Sequence, residues 1–369
     1  MKRLWAGVLC ALLLTGCSAA GQIEGQAFVV SLAVDLEEDG GMTVSIQYPS
    51  YGARGGEEGK SDYLISSASG GGFDAALYAL NAAVPRTVNL TQLKSLIVSE
   101  KLASSNMFQP LLNEIKLSYR INGEAYLVVA TGRAADFMAR QKPLIGLRLS
   151  DTIVTAMSRY ERLGGIPRST LSETFYAMNS FYDDPVAILA AVADEQTPST
   201  PDEPEDAEAG ELSREGENSD EYFGAALFRG GAMAGRLSGG EAQLLRLIRG
   251  GRGQMPMELD GATVAVTRHG ALRVAVDLNG DAPRLDVSFE AGVENLRANI
   301  DEAAVVEELT RGLNDLTAKC QRLGVDPFGY GRYAAARFTT IGDWLAYDWR
   351  TRFQQAEITY HVTLRQINA

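Results

Sequence analysis

The chain has 369 residues, 46% hydrophobic and 22% charged, the balance of a folded globular protein rather than a disordered one. Its formal net charge of −13 repels polyanions, which excludes nucleic acid as a partner and disfavours anionic lipid. Of three cysteines, Cys10 and Cys17 lie at the extreme N-terminus and only Cys320 is left for a folded domain, so no internal disulfide is expected.

The N-terminus carries Lys2 and Arg3, an apolar run from Leu4 to Leu14, and then Leu14-Thr15-Gly16-Cys17. A basic start, a short apolar stretch and small residues at the cut describe a secretory signal over residues 1–16. The cysteine directly after Gly16 makes the stretch resemble a bacterial lipobox, whose thiol takes a diacylglycerol thioether before cleavage. Two acyl chains, at about 0.8 kcal/mol per buried CH₂, hold a protein on a membrane where one chain lets go. Cleavage before Cys17 leaves 32 basic against 47 acidic residues, or −15. No second apolar stretch is long enough to span a bilayer.

From residue 17 to 193 strand and helix patterns alternate, in one or two subdomains. Ala27 to Asp35 predicts a buried strand, Asp39-Gly40-Gly41 a hairpin turn, and Met42 to Tyr48 a half-buried strand with alternating polar residues. Tyr51 to Lys60 reads as a loop and Phe73 to Val84 as a helix. Further strands are expected at Leu93–Val98 and Ala125–Ala130. Further helices are expected at Met107–Ile115, from Ala134, at Leu149–Arg162 and at Ser169–Asn179. Residues 194–221 are dense in Asp and Glu and poor in apolar side chains, which predicts an acidic disordered linker.

Residues 222–369 predict an α+β domain. Tyr222–Phe228 and Met233–Leu237 form a strand pair around Gly230-Gly231, and Ser238 with Glu241 opens a helix to Arg249 as a capping box. Three alternating strands follow, marked by Val264 and Val266, by Leu272 to Leu278 and by Leu285 to Phe289, with His269-Gly270 turning the chain between the first two. The long helix from Asp301 carries Val306, Leu309, Leu313, Leu316, Cys320 and Leu323 on one stripe, which predicts packing against the antiparallel sheet. Gly324 and Pro327 stop it, two short helices carry Trp344 and Trp349, and a last strand puts Ile358, Tyr360, Val362 and Leu364 on one face.

Catalytic equipment is missing from this pattern. His269 sits beside a glycine, and His361 lies on the polar face of the last strand, so neither has a third group to orient it as a base. Two scattered histidines and one core thiol make no zinc site. The glycine clusters fit neither a phosphate loop nor a dinucleotide fingerprint. Asp183-Asp184-Pro185 and Glu37-Glu38-Asp39 lack the spacing of a calcium loop and read as turns. The segment Asp326-Pro327-Phe328-Gly329-Tyr330-Gly331, with Trp344 and Trp349, reads as a structural joint in preference to a partner-binding loop, because buried aromatics usually mean core. No enzyme activity, metal or cofactor is expected beyond the lipid on Cys17.

Three segments together resemble the Ger(x)C family, the lipoprotein C subunits of nutrient germinant receptors in spore-forming bacteria. They are the lipobox followed by Ile23-Glu24, Ala27, Val29 and Val34-Asp35; the stretch from Tyr222 to Leu237; and the long helix running into Asp326-Pro327-Phe328-Gly329-Tyr330-Gly331 with Trp344, Trp349 and Phe353. Ser18-Ala19 replaces an aromatic-acidic pair, Ala33 stands where glycine is usual, and the linker is unusually acidic. The resemblance implies a non-enzymatic sensing or scaffolding subunit on the outer face of the spore inner membrane. Its implied partners are a multi-spanning A subunit and a transporter-like B subunit. The competing reading is a solute-binding or envelope-scaffold lipoprotein unconnected with spores, against which the antiparallel C-terminal half counts.

Overall fold

The computed structural model describes residues 25–50, 63–141, 148–163, 165–193, 206–212, 220–250, 253–259, 262–294 and 301–366. Cys17 and its lipobox, the loop expected at 51–60 and most of the acidic stretch lie outside them. None of the described helices is long and apolar enough to cross a membrane.

The N-terminal part is built on strands β1 (Gln26–Phe28), β2 (Ser31–Leu36), β3 (Met42–Pro49), β4 (Tyr63–Gly70), β5 (Thr87–Asn89), β6 (Ser95–Ser99), β7 (Tyr126–Ala130) and β8 (Val186–Val192). Between them run α1 (Phe73–Ala83), α2 (Glu100–Ala103), α3 (Phe108–Ser118), α4 (Ala134–Arg140), α5 (Leu149–Leu163) and α6 (Leu171–Asn179). Strands β2, β6, β7 and β8 pair in parallel at the centre of an eight-stranded sheet. Helices cover both faces, which is why Ser95–Ser99 and Val186–Ala191 are buried throughout and read as unbroken runs instead of alternating. One face packs Leu32, Leu96, Leu127 and Leu189 with residues of α1 and α3. The other packs Ala33, Ile97, Val128 and Ile188 with residues of α4 and α5. Asp35, at the end of β2, is buried and caps α4: its carboxylate accepts the Ala134 and Ala135 N–H groups at 2.7 and 3.1 Å.

Several expectations need correction here. The strand expected over 27–35 breaks at Val29-Val30, with β1 leaving the main sheet to pair in parallel with β5. Strand β3 is buried on both faces rather than half-buried. Its polar residues find partners across the ladder, Thr43 Oγ1 with Ser69 Oγ at 2.8 Å and Ser45 Oγ with Ser67 Oγ at 2.7 Å. Within the stretch expected to be disordered, residues 206–212 are described and packed. Ala207 and Ala209 are buried, and the Glu208 carboxylate meets the Arg236 guanidinium at 3.1 Å.

The strand pair β9 (Asp220–Arg229) and β10 (Ala232–Leu237), expected to head the C-terminal domain, instead completes the N-terminal sheet, antiparallel beside β8. Alternation along β9 explains the placement. Ala226 and Phe228 point into the N-terminal core, where Phe228 stacks on Phe108 with centroids 5.0 Å apart, while Ala225 and Leu227 point into the C-terminal core.

That second core is framed by α7 (Gly239–Arg249) and by strands β11 (Met255–Leu259), β12 (Ala262–Asp277), β13 (Arg284–Glu294) and β14 (Glu357–Gln366). Also in it are α8 (Glu302–Leu323), α9 (Tyr330–Ala335), α10 (Ile341–Tyr347) and α11 (Trp349–Phe353). The capping box of Ser238 with Glu241 forms as expected. His269-Gly270 does not turn the chain. The two strands expected around it are one strand, β12, whose register slips between His269 and Arg273, with Gly270 at φ +68° inside the bulge. The antiparallel meander is therefore β11-β12-β13, and β14 joins its edge in parallel. The inner stripe of α8 begins at Val305 instead of Val306 and runs through Leu309, Leu313, Leu316 and Cys320 against this sheet. The architecture is α+β.

Because β9 has a face in each core, truncating it should disturb both. Phe228→Ala is expected to cost about 3–5 kcal/mol. Calorimetry of the intact chain should show one transition moved to lower temperature. A transition of the C-terminal core left at its original temperature would show the cores to be independent.

Candidate functional site at the Asp326 turn

Helix α8 closes on Gly324 in a left-handed cap, and the chain turns inward, so that residues 324–331 are all buried. Asp326 is 2% exposed, and its carboxylate organises the turn. Oδ1 accepts the N–H groups of Gly329 and Tyr330 at 3.0 and 3.2 Å, and Oδ2 accepts Gly331 N–H at 2.7 Å and the Trp349 indole N–H at 3.0 Å. Three of these donors sit at the start of α9, where a carboxylate also meets the positive end of the helix dipole. Burial pushes the Asp326 pKa up to about 6, against the pull of the Gly331 and Trp349 donors.

The turn is also where the two cores lock together. Asp326 N–H donates to Asp184 Oδ2 at 2.9 Å, and Asp184 N–H donates back to the Asp326 carbonyl at 3.1 Å. Asp184 Oδ1 accepts from Arg350 Nη2 at 2.8 Å, while burial holds the Asp184 pKa above its ordinary value. Next to it, the buried Asp183 pairs with Arg332 and accepts Ser180 Oγ at 2.7 Å. Trp344 Nε1 donates to the Phe181 carbonyl at 2.9 Å. Gly331 is where the elements come closest: a Cβ there would lie 2.1 Å from the Tyr182 carbonyl oxygen and 2.8 Å from Trp349 Nε1.

Of the residues singled out from sequence, Asp326, Pro327, Phe328, Gly329, Gly331, Trp344 and Trp349 thus come together in one buried assembly. Phe328 stacks on Tyr330 with centroids 5.0 Å apart, and the Tyr330 hydroxyl continues inward to Tyr360 at 2.9 Å and on to Thr317 at 2.7 Å. Cys320 is buried in the same core, which pushes its thiol pKa well up. His361 lies on an exposed face 3.3 Å from Asp286, and His269 lies 3.3 Å from Thr267 Oγ1, both away from the turn. The partners that complete the joint are not marked as such in the sequence: Asp183 and Asp184, which read as a turn, and Arg332 and Arg350. The signal available was two adjacent carboxylates directly before Pro185 and the apolar run of β8.

Two outcomes follow from this packing. Phe328→Ala should lower the stability of the intact chain by about 3–5 kcal/mol in urea titrations, as for other buried phenylalanines. The second concerns pH. A carboxyl whose folded pKa of about 6 exceeds its unfolded value of 3.8 stabilises most at low pH, and that contribution falls as pH rises through this window. The stability difference between the natural protein and Asp326→Asn should therefore shrink between pH 4 and pH 7, by roughly 3 kcal/mol at most. A difference constant with pH would show that Asp326 titrates normally.

Comparison with known proteins finds two family regions, one in each half of the chain. A family model described as the spore germination protein N-terminal domain matches residues 20–192, and one described as spore germination B3/GerAC like, C-terminal, matches residues 223–368. The chain is 29% identical over 138 residues to "Putative spore germination protein YfkR" of Bacillus subtilis strain 168, a match that spans 36% of this chain and 35% of that relative. The crystal structure of the GerBC protein superposes with a TM-score of 0.55 at 16% identity, covering 93% of this chain and 98% of that one, which shows a shared fold. With nearly the whole described chain accounted for by the two matched regions in their expected order, this protein belongs to the Ger(x)C family of spore germination proteins.

Proposed function

We propose that this protein is the lipid-anchored C subunit of a nutrient germinant receptor, needed for spore germination. The observation that carries the reading is the ordered match of both germination-family regions, following an N-terminal Leu14-Thr15-Gly16-Cys17. On this reading Cys17 bears the diacylglycerol, and the α+β body stands on the outer face of the spore inner membrane beside a multi-spanning A subunit and a transporter-like B subunit. Its part is sensing or scaffolding without chemistry. The Asp326 carboxylate supports that view, since both its oxygens already accept donors from within the protein and it stands away from solvent.

Mass spectrometry of the protein from spores should find a chain starting at Cys17 with a diacylglyceryl adduct. Cys17→Ala should move it from the membrane to the soluble fraction and slow nutrient-triggered germination. Two membrane proteins, one of them transporter-like, should co-purify with it. An unmodified N-terminus at Ser18, or purification free of membrane proteins, would contradict the proposal.

A further inference from the structure

Below the Asp326 turn, a cleft of about 1050 Å³ opens between α5 and α6 on one side and α7, β12 and α9 on the other. Its charge runs against that of the chain. Six arginines line it, at 162, 168, 246, 249, 268 and 332, against three acids, Glu161, Glu173 and Asp183, in a protein of net charge −13.

Most of these arginines have structural work. Arg246 donates to the last-turn carbonyls of α5, Glu161 O at 3.1 Å and Arg162 O at 3.4 Å. Arg268 donates to Ile248 O of α7 at 2.6 Å. Two cleft acids are likewise engaged. Glu173 forms the capping box with Thr170 and pairs with Arg168 at 3.0 Å, and Asp183 is held by Arg332 and Ser180.

The side chains of Arg162 and Arg249 are the exceptions, and Arg249 is the one that the surrounding protein affects most. Among the described residues it makes no hydrogen bond or ion pair, although it stands in the field of Asp183, Arg332 and Glu173. It is exposed at the cleft mouth, and the bulk of protein around it lowers its pKa. The glycine after it, Gly250, lies where a Cβ would meet Arg268 Nη2 at 2.1 Å, so the backbone is drawn tightly under the cationic floor. Around it the lining is mixed, with Phe328 and Leu272 beside two exposed tyrosines, Tyr176 and Tyr333.

We propose that this cleft binds a small organic anion, a carboxylate or phosphate ester with an apolar body, anchored by the free guanidinium of Arg249. A planar guanidinium meets either group with two parallel N–H donors. The cleft's volume suits a ligand of tens of atoms, and Tyr176 and Tyr333 offer aromatic faces to the apolar part. This inference stands apart from the receptor reading, because it concerns the purified chain alone.

Calorimetric titration of the intact protein with benzoate in one arm and phenyl phosphate in the other tests it and separates the two anion types. Saturable one-to-one binding is expected in at least one arm, weakening as salt is raised. Arg249→Gln should weaken it about ten-fold or more and Arg249→Lys less, as loss of one charge-assisted contact predicts. The melting temperature without ligand should be the same in all three proteins. Failure of both anions to saturate by about 10 mM, well above a millimolar Kd, would overturn the proposal. So would equal binding by the natural protein and Arg249→Gln, which would mean an adventitious surface interaction only.

Discussion

A buried carboxylate is costly unless its lone pairs are filled, and the burial of Asp326 constrains much of the C-terminal half. The four donors that satisfy it come from the start of α9 and from Trp349 in α11. They therefore fix where α8 must end, how sharply the chain must turn and where the helix carrying Trp349 docks. Asp35 does a smaller version of the same work in the N-terminal half, holding α4 to the end of β2. In both places one acid at the end of a regular element fixes the start of a helix that docks beside it.

The Asp326 turn would be only a local device without Asp184. The reciprocal backbone and side-chain bonds between Asp184 and Asp326, with Arg350 closing the circuit, join the segment before β8 to the segment after α8. Strand β9 makes the same connection through apolar contacts, with Phe228 in one core and Leu227 in the other. A polar lock and a two-faced strand thus lie side by side, and movement of one core strains both. For a protein proposed to sense or scaffold, this coupling is the property that matters. A rigid body carries a displacement from one surface to another, whereas two halves on a loose tether would not.

Local signals in the sequence translated well into structure. The capping box at Ser238, the break after Leu323 and the apolar stripe of α8 depend on residues within a turn or two of each other, so their physics is visible in one dimension. What escaped depends on partners far along the chain. Thr43 and Ser45 mark a solvent face unless one knows that Ser69 and Ser67 lie opposite. Strand β4 carries three serines and so little apolar alternation that it was passed over. His269-Gly270 has turn chemistry, but the same positive φ serves a bulge when the flanking strand runs straight on. The acidic stretch marked a change of composition, not the edge of a sheet: composition reports how a segment is solvated, while β9 is placed by the open edge of β8. The joint at Asp326 was legible as a core turn from its glycines and aromatics. Its partners Asp183 and Asp184 were not, because a carboxylate that pairs with Arg332 or Arg350 looks in sequence like any exposed acid.

The cationic cleft follows from the same geometry. Helices α5 and α7 both end near it, and each helix end presents unpaired carbonyls and the negative pole of its dipole. Arg246 and Arg268 answer those carbonyls, which places positive charge at a meeting point of two negative helix ends. Charge placed to cap helices need not exceed what the caps require. Here it does: among the described residues no carbonyl or carboxylate claims the guanidinium of Arg249. In a chain with 47 acidic residues, a cation without a partner among the described residues, at the mouth of a cleft, is the feature on which the proposed anion site rests.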